Sequence, residues 1–293
     1  MKYKIIRDHS YGYLRVDPLP TQEEVEQYYK EEFYSSSYEG FNDSALETKL
    51  EEVTFFESQY EDIFSVCETY FKEMNGRSMF EIGFGFGQAL EYFHTKQLQV
   101  SGLEPAPEGV KYAQDKGFDV FCSGVENFDC VGSKRFDIVL LLNVLEHLRE
   151  PAKTLITIKE KLLKNNGLLI IDVPNEFNDF QCVANEAYSL DEWWVVPPNH
   201  INYFTVKSLE QLLDKCGYKV FYKKASFPME LFLLMGDVYV KDGKLGKSCH
   251  NKRQNFEQLM KKHGKKEKLD KLYETLAELE LGRQIIMYAY PSN

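Results

Sequence analysis

From Ser78 onward the chain alternates short apolar runs, near residues 79–83, 100–104, 118–122, 136–142 and 167–173, with longer stretches whose apolar residues recur at helical spacing. Strand and helix in turn predict a parallel sheet with helices on both faces. Phe136-Asp-Ile-Val-Leu-Leu-Leu-Asn143 is almost unbroken apolar sequence, as expected of a strand covered on both sides, and is predicted to be the sheet centre. Pro107 and Pro151 each fall where a first helical turn would begin, a place that suits proline's preset φ. After Pro174 the order loosens through Trp193 to Phe204. It resumes with a helix near 206–215, a strand near 218–225 and a last strand from Gln284 to Tyr290. Between the last two strands lies a segment of about fifty residues, helical by its spacing.

The first 76 residues follow a different pattern, rich in Tyr, Phe and Glu. Tyr11-Gly-Tyr-Leu-Arg-Val16 reads as a short strand, Pro18 and Pro20 break the chain, and Thr21 with Glu24 forms a capping box that opens a helix. A second helix is expected from Ser44 to Tyr70. The organisation expected is therefore an N-terminal helical cap (1–76), an α/β domain (77–226 with 283–293), and a helical insertion (227–282) as a substrate-binding subdomain.

Composition narrows the function. A chain of 293 residues, 43% hydrophobic, can build one large α/β domain with additions, or two modest ones. The net charge of −11 argues against general nucleic-acid binding, which needs surplus Lys and Arg, and points to small-molecule partners. Cys67, Cys122, Cys130, Cys182, Cys216 and Cys249 form no C-x-x-C pair and no His is spaced to complete a zinc site, so reduced thiols and no metal-ligand residues are expected, and a need for a divalent ion is not encoded in these patterns. The N-terminus has no apolar signal core, and runs such as Ile138–Leu142 are too short to cross a bilayer. A cytoplasmic protein that neither enters membranes nor binds nucleic acid is the expectation; oligomeric state is not encoded in these patterns.

The chemistry concentrates at Met79-Phe-Glu-Ile-Gly-Phe-Gly-Phe-Gly87. A dinucleotide fingerprint needs its third glycine two residues beyond the second, so that a pyrophosphate can approach a bare helix N-terminus. Counting from Gly83 that position is Gln88, and from Gly85 it is Leu90. A nicotinamide dehydrogenase is thereby excluded. Instead Gly83, Gly85 and Gly87 alternate directly behind Glu81, a spacing that permits positive φ and leaves no Cβ in a ligand's path. Glu104, ending the second predicted strand, stands where such folds place an acid for ribose hydroxyls; a solvated strand-end carboxylate is the plain alternative.

This segment resembles motif I of the class I S-adenosylmethionine-dependent methyltransferases. The likeness extends through Phe136-Asp-Ile-Val to Asn143-Val-Leu-Glu-His-Leu148, similar to the fourth motif, and Gly167-Leu-Leu-Ile-Ile-Asp-Val-Pro174, similar to the fifth strand, and covers about Ser78 to Val220. It implies a doubly wound seven-stranded, mostly parallel sheet whose last strand is antiparallel. It also implies S-adenosyl-L-methionine as cofactor, with Glu81, Gly83, Gly85 and Gly87 at the methionyl end, Glu104 on the ribose and Asn143 beside the sulfonium. The Ser123-Gly-Val-Glu126 segment, through Ser123 and Val125, would read the adenine. Phe84 and Phe86 either fill the sheet–helix core or wall the cofactor site.

Methyl transfer from a sulfonium is an in-line displacement whose thioether leaves without an acid. Holding the acceptor in line contributes on the order of 7–11 kcal/mol, and for a hydroxyl acceptor a base adds about 10²–10⁴-fold. His200, in Pro198-Asn-His-Ile-Asn-Tyr-Phe204, is the first candidate for that base, and its Pro-x-His-x-x-x-Phe pattern resembles a small-molecule subgroup of the family. The alternative is a histidine that pins the proline turn. His147 is the second candidate, with positioning favoured over proton transfer. Tyr28, Tyr29 and Tyr34 form either an aromatic lid or a packing face. Lys241 to Lys271 hold a run of basic residues in an acidic protein, where a solvated face competes with a site in which His250, Lys252 or Arg253 holds a phosphorylated or otherwise anionic acceptor. Arg283, just before the last strand, is placed to reach a substrate or an inter-helix carboxylate. The function expected is methyl transfer to a hydroxyl of a sugar or nucleotide-linked sugar. N- or C-methylation of a small metabolite and a non-catalytic S-adenosylmethionine-binding regulator are the alternatives.

Overall fold

The computed structural model describes residues 2–28 and 43–292. Seven strands form one sheet in the order β5-β4-β3-β6-β7-β10-β9. They are β3 (Ser78–Ile82), β4 (Gln99–Glu104), β5 (Asp119–Cys122), β6 (Phe136–Leu142), β7 (Leu163–Pro174), β9 (Tyr218–Ala225) and β10 (Gln284–Pro291). β3 pairs in parallel with both β4 and β6, and β4 with β5. At the far side the amide of Asn175, just past the end of β7, donates to Arg283 O, just before β10 begins. Likewise Ser226 N, past the end of β9, donates to Gln284 O. A strand whose start meets its neighbours' ends runs against them, so β10 is antiparallel, as expected.

The apolar pattern explains the layout. β6 is buried along six of its seven residues, and Met79, Phe80, Ile82, Val139, Leu140 and Leu141 are wholly inaccessible. The Phe80 and Phe136 rings lie 4.7 Å apart between the two strands. From β3 the chain steps out through β4 to β5, then crosses back to β6 on the other side of β3. That reversal opens a crevice at the carboxyl ends of β3 and β6, where ligands of open α/β sheets bind. At the opposite ends of the same strands Asp137 accepts from Ser78 N (2.9 Å), Ser78 Oγ (2.8 Å), Lys164 Nζ (2.7 Å) and Arg77 Nη1 (3.0 Å).

The N-terminal segment was expected as a helical cap, and the structure corrects this in part. Lys4–Arg7 (β1) and Leu14–Asp17 (β2) form an antiparallel hairpin, and β2 continues to Asn202–Tyr203 (β8) as a second, three-stranded sheet. Val16, Trp194, Ile201 and Tyr203 make its core. A two-residue strand has no periodicity to read, so β8 was hidden in the loosened segment before Phe204. The capping box is present: Thr21 Oγ1 accepts from Glu24 N and Glu24 Oε2 accepts from Thr21 N, opening the helix Gln22–Tyr28. A long helix spans Asp43–Phe71. The insertion is helical, at Glu230–Leu234, Gly243–Lys262 and Lys266–Glu278. The chain divides into two compact units, one of residues 1–19, 145–149 and 171–289, the other of residues 20–144, 150–170 and 290–293.

Candidate active site

In the unit that holds β3 to β6, the turn after β3 is shaped by its glycines. Gly83, Gly85 and Gly87 all have left-handed φ, at +72°, +56° and +72°. A Cβ on Gly83 would stand 2.7 Å from Val144 Cγ2, whereas one on Gly85 would meet nothing within 4 Å. Gly83 is thus required by the protein itself, while the space above Gly85 is open for a ligand. The Gly85 amide donates to Glu104 Oε2 (2.9 Å) and the Ala106 amide to Glu104 Oε1 (3.0 Å), so the acid that ends β4 is pinned against the turn.

Glu81 lies just before the first glycine, 4% exposed, and its Oε2 has no hydrogen-bond partner. Burial pushes its carboxyl up to about 8, and the charge of Glu104 adds to the rise. Two buried carboxyls facing one glycine turn repel each other and any anion, and are relieved by a cation. Phe84 is buried and covers Gly102, where a Cβ would lie 2.7 Å from its ring. It belongs to the core. Phe86 sets its ring edge-on to Tyr112, with centroids 6.3 Å apart. The Ser123 amide donates to Glu104 O (3.2 Å), and its hydroxyl is engaged by the carbonyls of Gly124 and Asn127. Val125 is half-buried in the same loop, and Asn143, exposed with φ +55°, ends β6.

The other unit assembles a second cluster. Leu145–His147 forms a single 3₁₀ turn that β8 fastens, with Ile201 N donating to Glu146 O (3.0 Å) and Asn202 Nδ2 to Leu148 O (2.6 Å) and Leu145 O (3.2 Å). His147 and His200, more than fifty residues apart in sequence, meet with ring centroids 5.0 Å apart. His147 Nδ1 donates to Asn199 O (2.8 Å), and its Nε2 is 3.7 Å from Glu146 Oε1. His200 Nδ1 is 3.5 Å from Glu176 Oε1.

Glu146 is 1% exposed, and apart from its own backbone N–H neither carboxyl oxygen has a hydrogen-bond partner. Burial raises its carboxyl far above the usual range; its own backbone N–H works against this, while Asp172 and Glu176 add to it. Asp172 is itself pushed up to about 7 by burial, opposed by the charges of Arg253 and Lys224. Sequence reasoning found both histidines but missed Glu146, Asp172 and Glu176. The legible signal was Asp172, a charge inside the apolar run Leu168-Leu-Ile-Ile-Asp-Val173.

The expected anion site is not presented in this form. Arg253 is buried, with Nε 3.1 Å from Glu257 Oε1, which also accepts from Tyr273 Oη (2.6 Å). Lys252 pairs with Asp237 (2.9 Å) and His250 meets Gln254 (2.9 Å). Arg283 reaches the buried Glu230 (3.4 Å), the inter-helix carboxylate expected as one of its two partners. A shallow cleft of about 630 Å³ runs along helix 243–262, lined by Lys244, Lys247, Ser248 and Asn251 among others. Tyr28 is half-buried at the end of its helix; Tyr29 and Tyr34 lie outside the described residues.

Residues 56–223, more than half of the chain, match the family described as Methyltransferase domain. The chain belongs to this family. Among curated proteins, this methyltransferase-domain chain is 32% identical over 108 residues to a ubiquinone biosynthesis O-methyltransferase of Rhodopseudomonas palustris strain HaA2, covering 35% of this chain and 42% of that protein. It is 30% identical over 155 residues to the one of strain BisB5, covering 50% and 60%. The chain thus spans about half the length of the curated relatives it matches. Among solved structures, the 1,6-didemethyltoxoflavin-N1-methyltransferase of Burkholderia thailandensis, bound to 1,6-didemethyltoxoflavin and S-adenosylhomocysteine, aligns over all of both chains at 16% identity with TM-score 0.54. A plantazolicin methyltransferase with a substrate analogue and S-adenosylhomocysteine aligns over 92% and 94% at 16% identity and TM-score 0.54. These likenesses show the fold. Among the described residues no helix is long and apolar enough to cross a membrane.

Proposed function

We propose that this protein is a cytoplasmic S-adenosylmethionine-dependent methyltransferase that methylates a hydroxyl of a small molecule. The observation that carries the reading is the glycine turn between Glu81 and Glu104. It has an open approach at Gly85 and a buried carboxylate oxygen of Glu81 without a partner. S-adenosyl-L-methionine, its cofactor, fits that chemistry: it carries an ammonium and a sulfonium for the carboxyls, and ribose hydroxyls for Glu104. Bound there, it supplies an electrophilic methyl on a sulfur that leaves without a proton.

The chain's own residues do the rest. Glu81 and the glycine turn hold the amino-acid end, Glu104 accepts from the ribose, and the loop of Ser123 and Val125 lies against the adenine. The turn at Asn143 borders the reacting end. His200 and His147 take charge of the acceptor proton, the Asn199 carbonyl fixing the His147 ring and the Glu176 carboxylate standing 3.5 Å from His200. The Pro198 to Phe204 loop that carries His200 marks the small-molecule subgroup. Tyr28, Tyr29 and Tyr34 of the N-terminal cap and the insertion 227–282 form the substrate side.

Oxygen is favoured over nitrogen or carbon by this pair of histidines, and the names of the curated relatives, O-methyltransferases of ubiquinone biosynthesis, support oxygen. Glu146, Asp172 and Glu176 favour an uncharged, hydroxyl-bearing acceptor, a sugar among them, over a phosphorylated one, because a cluster of carboxyl groups, charged or protonated, supplies no positive charge to hold a phosphate. Calorimetry with S-adenosylmethionine and S-adenosylhomocysteine, followed by turnover against sugars, phenols and amines, tests the reading. Absence of binding removes it, and binding without turnover on any acceptor leaves a regulator.

A further inference from the structure

The geometry points to a divalent-cation site formed by Glu146, His147 and His200, at which the ion holds the acceptor's oxygen. The inference rests on the methyltransferase reading only for the purpose of the ion; the site itself stands on the side chains. One ligand atom from each of the three lies within 4.8 Å of the others. Ligands about 2.0–2.2 Å from a first-row ion stand roughly 3–4 Å apart, so small torsions of the two rings close the group.

Two independent observations direct a cation there. First, Glu146 is 1% exposed with both oxygens unsatisfied by any other residue, a cost of several kcal/mol for an ionised carboxylate that a bound cation removes. Second, the His147 imidazole is oriented as a metal ligand is, and the His200 ring stands beside it with centroids 5.0 Å apart. His147 is held through Nδ1 by the carbonyl of Asn199, which fixes the proton on that nitrogen and turns Nε2 towards Glu146. His200 has its Nδ1 beside the carboxylate of Glu176. An oxygen acceptor behind the imidazole, as His147 has, is the arrangement that fixes the tautomer and raises ligand basicity at metal centres; at His200 the carboxylate stands 3.5 Å away, without a hydrogen bond. Without an ion, the Nε2 lone pair of His147 faces a carboxylate.

The donor set also selects the ion. Two imidazoles and one carboxylate suit Mn²⁺, Fe²⁺, Co²⁺ or Zn²⁺ better than Mg²⁺ or Ca²⁺, which prefer all-oxygen surroundings. Three protein ligands leave coordination positions open, the mark of a reactive rather than a structural site. A hydroxyl bound at an open position becomes a stronger acid, as metal-bound water does, and releases its proton to solvent. The part proposed above for His200 and His147 in removing the acceptor's proton is then exercised through the ion they hold. The sequence offered no zinc spacing and did not decide whether a divalent ion is needed, because His200 comes from a segment more than fifty residues away.

The test is titration of chelator-treated full-length protein with MnCl₂, followed by electron paramagnetic resonance of free Mn²⁺ and by calorimetry, with S-adenosylhomocysteine binding measured in parallel. One ion per chain in the micromolar range is expected, weakened at least tenfold in His200→Ala and about 10–100-fold in Glu176→Gln, with S-adenosylhomocysteine affinity unchanged in both. His200 is 18% exposed, so its replacement is compatible with folding. Absence of saturable Mn²⁺ or Zn²⁺ binding below about 1 mM, or binding undiminished in His200→Ala, overturns the proposal; an imidazolium of His147 paired with Glu146 gives that first result. Ion binding without S-adenosylhomocysteine binding sinks the methyltransferase reading and leaves the metal site standing, and the reverse sinks only the site.

Discussion

The glycine turn and the histidine cluster are built in opposite ways. The turn is contiguous: Glu81 to Gly87 bends the backbone, and Glu104, one strand later, is tied to it by the amides of Gly85 and Ala106. The cluster is a convergence of Leu145–His147, Asn175–Glu176 and Asn199–Tyr203, held by side chains and a two-residue strand. In the function proposed above, the first works through backbone shape, so mutation of a glycine acts on the shape. In the second the backbone is scaffolding, and the proposed role falls to the side chains.

At the turn, stability and cofactor binding should fall together. Gly83→Ala forces φ +72° on a residue with a Cβ 2.7 Å from Val144, so it should lose about 1–3 kcal/mol of stability and cofactor binding together. Gly85→Ala meets open space and should keep more of its stability while still binding S-adenosylhomocysteine at least tenfold more weakly. Thermal melts beside calorimetry separate the two. Equal affinity for cofactor in Gly85→Ala and wild type would break the claim that this space belongs to the ligand.

At the cluster the pattern should invert. His200→Ala is expected to lower turnover by about 10²–10⁴-fold while leaving cofactor affinity within a factor of two. Single-turnover kinetics at saturating cofactor reads this directly. A loss confined to cofactor binding would make the two regions one site with one role, contrary to their construction.

A smaller effect separates the turn's two carboxyls from ordinary ones. Glu81 is protonated in the folded protein up to about pH 8, but ionises near pH 4.5 when unfolded. Its favourable contribution is complete below about pH 4.5, shrinks as pH rises by up to about 1.4 kcal/mol per unit, and is gone above about 8. Ligand-free protein should therefore lose stability across this range, and Glu81→Gln should flatten the slope and be the more stable form at pH 8. A cationic cofactor draws the proton off Glu81, so wild-type affinity should rise with pH towards 8, and that rise should vanish in the variant. Denaturant midpoints and calorimetry from pH 5 to 9 check both.

The same contrast explains what the sequence makes legible. Strand limits came within a few residues because β6 is apolar on both faces, and the antiparallel last strand followed from the glycine motif's resemblance. Glycines at alternate positions declare a backbone conformation in the residue type itself, so the turn was readable. Neither the burial of Glu146 nor its meeting with His147 and His200 has a local signature, since burial depends on what other segments bring. Arg253 shows the converse error: its charge is legible, but Glu257, one helical turn on, takes it up.

Asp137 supplies the control, with the smallest expected effect on activity. Like Glu146 it is a buried carboxyl gathered by distant segments, but it accepts from Arg77, Ser78 and Lys164. Burial alone would raise its pKa; Lys164 and the Ser78 amide and hydroxyl outweigh that and bring it to about 2. The stability it confers is present above about pH 4 and is lost as pH falls towards 2. Asp137→Asn should therefore cost about 1–3 kcal/mol at pH 7 and lose that penalty in acid, with kcat and KM unchanged, because it lies at the amino ends of strands whose carboxyl ends carry the ligand. A change in turnover beyond the loss of folded protein would break the distinction. If it holds, the difference between the two carboxyls lies in their partners: one is satisfied by the protein and serves the fold, and Glu146, left unsatisfied, serves what binds to it.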